Sequence, residues 1–125
     1  MGKEKNLKTG RRGEVEAAIF LRKEGFRIVA RNFRVRAGEI DIIAVKGRSI
    51  VFVEVKARRS QDYGAPCEDV TMKKRLHIER AALCFLMFNP QYSRLFPSII
   101  IAEVLLDGDS CSINLLEDCR DSPLF

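Results

Sequence analysis

Histidine and tryptophan are nearly absent from this 125-residue chain, which has one histidine, His77, and no tryptophan. A single histidine, predicted to lie on an exposed helix surface, is no basis for a Ser-His-Asp or Cys-His triad or for an imidazole-rich metal site. The cysteines Cys67, Cys84, Cys111 and Cys119 follow at intervals of 17, 27 and 8 positions, with no C-x-x-C pair. This spacing excludes zinc sites of familiar form and indicates buried or incidental thiols. Any catalysis is therefore expected to use carboxylates and lysine.

Long apolar runs are also absent. None approaches the roughly 18 residues that cross a bilayer, and the basic residues 1–14 contain no apolar segment typical of a secretion signal. Asn6 stands where a myristoylation signal has serine or threonine. These absences predict a cytoplasmic protein without membrane contact. The length and the 46% hydrophobic content predict one domain over residues 1–125, with a basic flexible N-terminus over 1–9 and a loose acidic tail over 118–125.

Charge is distributed unevenly along the chain, whose formal net charge is +5. Residues 1–36 carry eleven Lys or Arg and four acids, and residues 37–59 carry five and three, so this front part has a net charge of +9. Residues 90–125 carry two basic and six acidic residues. A concentrated positive charge favours contact with a polyanion such as nucleic acid. A merely solvated basic face is the alternative.

Hydrophobic periodicity predicts two helices and five strands. A repeat of 3.6 residues marks each helix, and alternation with period two marks the strands. Residues 98–106 are almost continuously apolar, which is typical of a strand covered on both faces and predicts that this strand returns to the middle of the sheet. The order predicts one α/β domain with a mixed sheet flanked by both helices. The predicted helices are 9–25 and 69–88, and the predicted strands are 26–30, 38–46, 49–57, 98–106 and 111–117.

Two charged side chains interrupt the third predicted strand. Glu54 and Lys56 share one face of this strand with Ile50 and Phe52, because residues two apart in a strand point the same way. A strand with apolar faces has such charges either at an exposed end or in a polar pocket. The sequence thus indicates a polar site within an apolar sheet.

The preceding strand supplies another acid. Its alternation assigns Asp41 to the face opposite Ile40 and Ile42, and antiparallel pairing places Asp41 about opposite Glu54. Two carboxylates on adjacent strands can converge on one Mg²⁺ or Mn²⁺ ion, with water and substrate phosphate as further ligands. Such an ion would clamp a phosphate and supply hydroxide, while Lys56 positions that water or stabilises developing charge. A structural network of buried ion pairs is the alternative.

The segments around these residues resemble those of the YraN family of small bacterial proteins. The pattern of that family is similar to the pattern of archaeal Holliday-junction resolvases and of the wider PD-(D/E)xK nuclease superfamily. The resemblance covers about residues 10–116, and the motifs come in the family's order. The matching segments are G-R-R-G-E-V-E-A-A at 10–18, R-N-F-R at 31–34, G-E-I-D-I-I-A at 38–44, V-F-V-E-V-K-A-R at 51–58, Gly64, and V-T-M-K-K at 70–74.

This resemblance implies a restriction-endonuclease-like αβββαβ core, here with an added strand, and a Mg²⁺- or Mn²⁺-dependent endonuclease. It implies that Asp41 is the first acid of the superfamily motif and that Glu54 and Lys56 are its second half. It also implies that Glu14 is the additional acid of the resolvase branch and a metal ligand, and that Lys74 is a recurrent basic residue of the second helix. Position alone leaves alternatives open: Glu14 as a first-turn acid favoured by the helix dipole, and Lys74 as a lysine extending from an apolar stripe.

Arginines surround the proposed acids and are natural contacts for phosphates, which carry no sequence information. The predicted contacts are Arg11, Arg12, Arg31, Arg34, Arg36, Arg58 and Arg59. Recognition is therefore expected to depend on the shape of structured or branched DNA, and a homodimer would suit the twofold symmetry of a four-way junction. Two other functions compete with the endonuclease: a nucleic-acid-binding protein that keeps the nuclease fold without turnover, and an adaptor whose basic face is only solvated.

Overall fold

A computed structural model describes residues 2–60 and 72–117, with side chains from residue 8 onward. Its elements follow the predicted order of helices and strands. They are α1 (Gly2–Lys23), β1 (Arg27–Val35), β2 (Gly38–Lys46), β3 (Ser49–Arg59), α2 (Met72–Phe88), a single 3-10 turn (Pro90–Tyr92), β4 (Phe96–Asp107) and β5 (Ser110–Glu117). No helix in this described part of the chain combines the length and apolar character needed to cross a membrane. The predicted loose tail over 118–125 lies outside the described residues.

The five strands form one mixed sheet in the order β1-β2-β3-β4-β5. Only the β3–β4 pair is parallel, with Ser49 beside Phe96 at its start and Arg59 beside Leu106 at its end. The prediction that the apolar strand over 98–106 returns to the middle of the sheet formed by the first three strands is wrong. The chain crosses over through α2 and adds β4 outside β3, and β5 then covers the free edge of β4. The apolar run is explained by this flanking and by the helices on both faces.

The sheet separates two apolar cores, one under each helix. Each helix contributes an apolar face to one of these cores, so the predicted mixed sheet flanked by two helices is confirmed. Phe85 of α2 meets Phe33 of β1 edge to face, with ring centroids 5.3 Å apart. The α1-side core comprises Ala17, Ala18, Leu21, Ile42, Ala44, Val51, Val53, Ala102, Val104 and Leu106, and the α2-side core comprises Ile40, Ile43, Ile50, Phe52, Ile78, Ala81, Ala82, Phe85 and Ile99.

The first helix and the first strand differ from their predicted bounds. The helix begins at Gly2 instead of residue 9 and ends where Gly25 adopts a positive φ of 95°, a conformation that glycine adopts without steric penalty. Strand β1 continues to Val35 across an irregularity between Ile28 and Ala30. Because of this irregularity, Ile28 packs on the α1 side whereas Ala30 packs on the α2 side. The basic stretch after residue 30 is therefore part of the sheet.

Two glycines set how closely the helices approach the sheet. A Cβ atom on Gly13 of α1 would overlap the Cβ of Ala57 in β3. A Cβ atom on Gly38, at the start of β2, would lie 2.5 Å from the carbonyl oxygen of His77 in α2. Only glycine permits approaches this close. As a result, Glu14 is held against the sheet beside Gly13, and the first turns of α2 are held against the start of β2.

Candidate active site

The strands β2 and β3 stop pairing next to Asp41. Their paired residues run from Lys46 and Ser49 as far as Ile42 and Val53. One residue beyond, Asp41 Oδ2 accepts a hydrogen bond of 2.8 Å from the backbone N–H of Val55. The carboxylate thus takes the place of a backbone acceptor and satisfies a donor that the diverging strands leave without a ladder partner. The same bond fixes where the Asp41 side chain points.

The face alternation of β2 slips at this position. Ile40 belongs to the α2-side core, whereas Ile42 belongs to the α1-side core. The predicted common face of these two residues is therefore wrong. The prediction for β3 is confirmed, since Ile50 and Phe52 pack on the α2 side and Glu54 meets Lys74 of α2 there. The slip places the Asp41 carboxylate between the helices, within reach of groups from both sides.

Glu54 is buried, with 6% of its surface exposed. Its Oε1 lies 2.5 Å from the Nζ of Lys74, which comes from the first turn of α2. Lys56, two residues along the same strand, acts on Glu54 by its charge. One strand and one helix therefore bring an acid and two lysines to one point.

Both acids of the site are held in surroundings that disfavour their ionised forms. Burial raises the pKa of Asp41 to about 6, and the charge and hydrogen bonding of Glu14 and the charge of Glu39 add to this, against the Val55 N–H bond, which lowers it. Burial also raises the pKa of Glu54, helped by the charge of Asp41 and opposed by Lys74 and Lys56. Nearby acids thus make both carboxylates harder to ionise, Glu14 and Glu39 acting on Asp41 and Asp41 acting on Glu54, which is the situation that a bound cation relieves.

Lys74 responds to the same charges in the opposite direction. Burial lowers its pKa, but the hydrogen bond and charge of Glu54 and the charge of Asp41 outweigh this, so the pKa of Lys74 is raised. Its ammonium form is therefore stabilised beside the buried acid.

Two cavities open beside these groups. One of about 360 Å³ lies next to α1 and is lined by Gly10, Arg11, Glu14, Asn32, Arg34, Glu39 and Asp41. The other, of about 300 Å³, lies next to α2 and is lined by Arg34, Val35, Gly38, Glu39, Lys74, His77 and Ile78. Arg34 and Glu39 line both cavities. They form an exposed ion pair in which Arg34 Nε lies 3.1 Å from Glu39 Oε2. We refer to the first cavity as the α1 cleft and to the second as the α2 cleft.

The predicted arginines do not all face the same cleft. Arg11 and Arg34 line the α1 cleft, whereas Arg12 donates a hydrogen bond of 3.4 Å to the carbonyl oxygen of Ser110 in β5. Arg58 lines a separate cavity of about 240 Å³ over β3, β4 and β5, together with Lys56. The remaining three are exposed on β1 and the following turn or half-buried at the end of β3: Arg31, Arg36 and Arg59.

Three features of the site were not predicted from the sequence. Asn32 adopts a positive φ of 51° in β1, which asparagine tolerates better than most residues, and it lines the α1 cleft. Glu39, two residues before Asp41 in β2, lines both clefts. Arg75 and Glu79 of α2 form a buried ion pair of 2.7 Å directly after Lys74. Only this last feature had a sequence signal, its i,i+4 spacing.

Cysteine takes no part in the described site. Cys84 and Cys111 are free and half-buried, and Cys111 Sγ donates a hydrogen bond of 3.2 Å to Glu16 Oε2. Burial and the neighbouring Glu16 carboxylate raise the pKa of the Cys111 thiol, which disfavours the reactive thiolate. Cys67 and Cys119 lie outside the described residues.

The donor set fits a hard cation bound by two carboxylates. Oxygen atoms from Asp41 and Glu54 meet the preference of Mg²⁺ for one or two carboxylates, with water and phosphate completing its shell. In residues 8–60 and 72–117, no group of three or more His, Cys, Asp or Glu side chains is arranged to hold a metal ion. Glu14 is hydrogen-bonded to Asp41.

The helices and the mixed sheet define an α/β protein with a restriction-endonuclease-like core, α-β-β-β-α-β followed by an added edge strand. Residues 13–104 match the family described as Uncharacterised protein family UPF0102, the YraN family. The chain belongs to this family.

Its relatives are similar over most of their length. A UPF0102 protein of Caldicellulosiruptor bescii is 44% identical over 116 residues, which cover 90% of this chain and 98% of the relative. A UPF0102 protein of Syntrophus aciditrophicus is 42% identical over 115 residues, covering 90% and 88%. A third, from Syntrophomonas wolfei, is 41% identical over 111 residues, covering 87% and 94%. These names state a family and no reaction.

Proposed function

We propose that this protein is a metal-dependent endonuclease that hydrolyses phosphodiester bonds in structured or branched DNA and selects shape rather than sequence. The observation that carries this proposal is the placement of Asp41 and Glu54 on diverging strands beside Lys56, where both pKa values are raised and the charge of Asp41 adds to the rise at Glu54. A purely structural site would gain nothing from two such acids beside a cleft that also holds Arg11 and Arg34. A cytoplasmic location and a homodimer that offers two clefts to a symmetric junction would suit such a substrate.

Each residue has a distinct role in the proposed reaction. Asp41 and Glu54 would hold Mg²⁺ or Mn²⁺, which when bound supplies Lewis acidity and a nucleophile at neutral pH. Lys56 orients the attacking water, whose oxygen forms the new bond to phosphorus as the bond to the leaving sugar oxygen breaks. Arg11 and Arg34 in the α1 cleft bind the phosphates next to the scissile one, because guanidinium groups match phosphate geometry.

The test is cleavage of linear, flapped, four-way and single-stranded DNA by the purified protein, with and without Mg²⁺ or Mn²⁺. Asp41→Asn and Glu54→Gln are expected to lower the metal-dependent rate by about a hundredfold or more, while DNA binding is retained. The matched control is Glu24→Gln, an exposed acid directly after the last residue of α1, which should cleave at the parental rate. Parental cleavage by both site variants would refute the assignment.

One alternative function is supported by a specific observation. The Glu54 carboxylate is already paired with Lys74, and the described residues hold no group of three or more His, Cys, Asp or Glu side chains arranged to bind a metal ion. Both facts suit a protein that binds nucleic acid and does not cleave it. Salt-sensitive DNA binding by the parent, with no product from any of the four substrates in either metal, would favour this alternative.

A further inference from the structure

The pairing of Glu54 with Lys74 is asymmetric in burial. The Glu54 side chain is 8% exposed, whereas the Lys74 side chain is 45% exposed, and the two meet at 2.5 Å. A buried carboxylate without a partner is strongly unfavourable. The Lys74 ammonium therefore supplies the positive charge that the Glu54 carboxylate needs in the metal-free protein.

A divalent cation held by Asp41 and Glu54 would require the same carboxylate oxygens. An ammonium in contact with Glu54 Oε1 would then lie within a few ångströms of a doubly charged ion, where like charges repel strongly in partly buried surroundings. Both positive groups cannot keep their closest contacts with Glu54. One of them must withdraw.

Lys74 is the group that is built to withdraw. Its side chain ends a flexible four-carbon stem, is nearly half exposed and lines the α2 cleft beside Arg34 and His77. This cleft has a volume of about 300 Å³, which gives the ammonium room to move. Lys56, by contrast, is carried by the same strand as Glu54, and the parallel pairing with Glu103 of β4 fixes its backbone position.

We propose that Lys74 is the displaceable counter-ion of Glu54: it neutralises the buried acid while no metal is present, and the divalent cation must compete with it for Glu54. This inference rests on the proposed function, because it takes Asp41 and Glu54 to be the ligands. Only molecules in which Lys74 is not paired with Glu54 are ready to bind the metal. The apparent affinity for metal is therefore the intrinsic affinity multiplied by the fraction of such molecules. Lys74 thus acts on metal occupancy as a positioning residue.

The first test measures Mn²⁺ binding by calorimetry, without DNA. Lys74→Gln is expected to bind Mn²⁺ at least about fivefold more tightly than the parent. The matched control is Lys73→Gln, because Lys73 is an exposed neighbour on the same helix turn and its replacement removes the same charge without removing the Glu54 contact. Equal or weaker binding by Lys74→Gln, or an equal gain in Lys73→Gln, would overturn the proposal.

The second test observes the displacement directly in the unmutated protein. In a ¹⁵N-labelled sample, the ammonium signal that Lys74→Gln lacks is expected to be protected from exchange before metal is added, because it is hydrogen-bonded to Glu54. Saturating Mg²⁺ should remove that protection. A protected signal that persists unchanged at saturating Mg²⁺ would contradict displacement.

The outcomes separate this inference from the proposed function. A parent that binds metal and cleaves DNA, with Lys74→Gln showing no gain in Mn²⁺ affinity, would overturn the counter-ion role and leave the endonuclease standing. A parent that neither binds Mn²⁺ nor cleaves would overturn both.

Discussion

The hydrogen bond from the Val55 N–H to Asp41 Oδ2 does two things at once at the scale of single residues. It supplies the acceptor that β3 lacks where β2 diverges, and it orients the carboxylate toward Glu14 and Glu54. The bond stabilises the ionised form of Asp41, but burial and the neighbouring acids act more strongly in the other direction. The backbone therefore holds the Asp41 side chain in place, while the surrounding groups do not balance the negative charge of its carboxylate.

This balance predicts a pH dependence of stability in the metal-free protein. The pKa of Asp41 rises from 3.8 in its ordinary state to about 6 in the fold, so between these values the native state binds more protons than the unfolded state. Stability from this group is then greatest below pH 4 and falls as the pH rises through about 6, by about 3 kcal/mol in all. The measurement is the free energy of unfolding by denaturant at several pH values, with a chelator present. For Asp41→Asn, this free energy should depend less steeply on pH than it does for the parent.

The control for this experiment is Asp109→Asn, in the exposed turn between β4 and β5. It should keep the parental slope. Glu54 shifts in the same direction as Asp41 and remains in both variants, so the slope of Asp41→Asn is reduced rather than abolished. An unchanged slope in Asp41→Asn would show that this carboxyl is not protonated in the native protein near pH 5.

At the scale of elements, the site depends on how closely α1 approaches β3. Gly13 lies directly over Ala57, and Glu14 follows it toward Asp41. A helix that is lifted from the sheet at this point would carry Glu14 away from Asp41. Gly10, one turn earlier on the same helix, has no neighbouring atom within 4 Å of the place where a Cβ would be.

These two glycines make a matched pair of substitutions. Gly13→Ala is expected to destabilise the protein by about 1–3 kcal/mol, because the new methyl group overlaps Ala57. Gly10→Ala is expected to stabilise it by about 0.5–1 kcal/mol, because alanine loses less backbone entropy than glycine in a helix. Chemical denaturation measures both free energies. A stabilising Gly13→Ala substitution would mean that α1 does not approach β3 this closely.

At the scale of the whole molecule, positive charge and the candidate site coincide only in part. Arg11 and Arg34 line the α1 cleft, whereas Arg12 turns to β5 and Arg58 lines another cavity. The net charge of +5 is therefore spread over several surfaces, and the α1 cleft combines two arginines with the acids Glu14, Glu39 and Asp41. Phosphate contacts made by these two arginines would give binding that depends on both position and salt.

The consequence is measurable as a salt slope. A parent that binds duplex DNA through Arg11 and Arg34 should lose about two units of slope in log affinity against log salt when both are changed to Gln. The control is Arg48→Gln with Arg94→Gln, two exposed residues near the opposite end of β2 and before β4. Equal slopes for the two double variants would show that the α1 cleft does not contact the DNA backbone.

Much of this architecture was predictable from local patterns. The order of helices and strands follows from periodicity, because apolar faces must be buried in any compact fold. The face of β3 that carries Glu54 and Lys56 was predicted for the same reason, since no irregularity interrupts that strand. The bounds of α1 were less accurate, because its first turns lie beyond the apolar stripe from which the prediction was made.

Contacts between distant segments could not be predicted in this way. The place of β4 outside β3, the slip of face at Asp41 and the turn of Arg12 toward Ser110 depend on which strands pair and in which register. Register is set by packing of the whole sheet, and a change of one residue reverses the face of a side chain.

The amino-acid sequence by itself determined the chemistry that is available: oxygen and amine groups, almost no imidazole, and a basic first half. Only the tertiary structure decided which of these groups meet. Glu54 and Lys74 are twenty positions apart, and their contact exists because α2 docks over β1 and β2 with its first turn beside the buried carboxylate. The physical reason is that side-chain chemistry is a local property, whereas proximity results from the closure of the whole chain around its two cores.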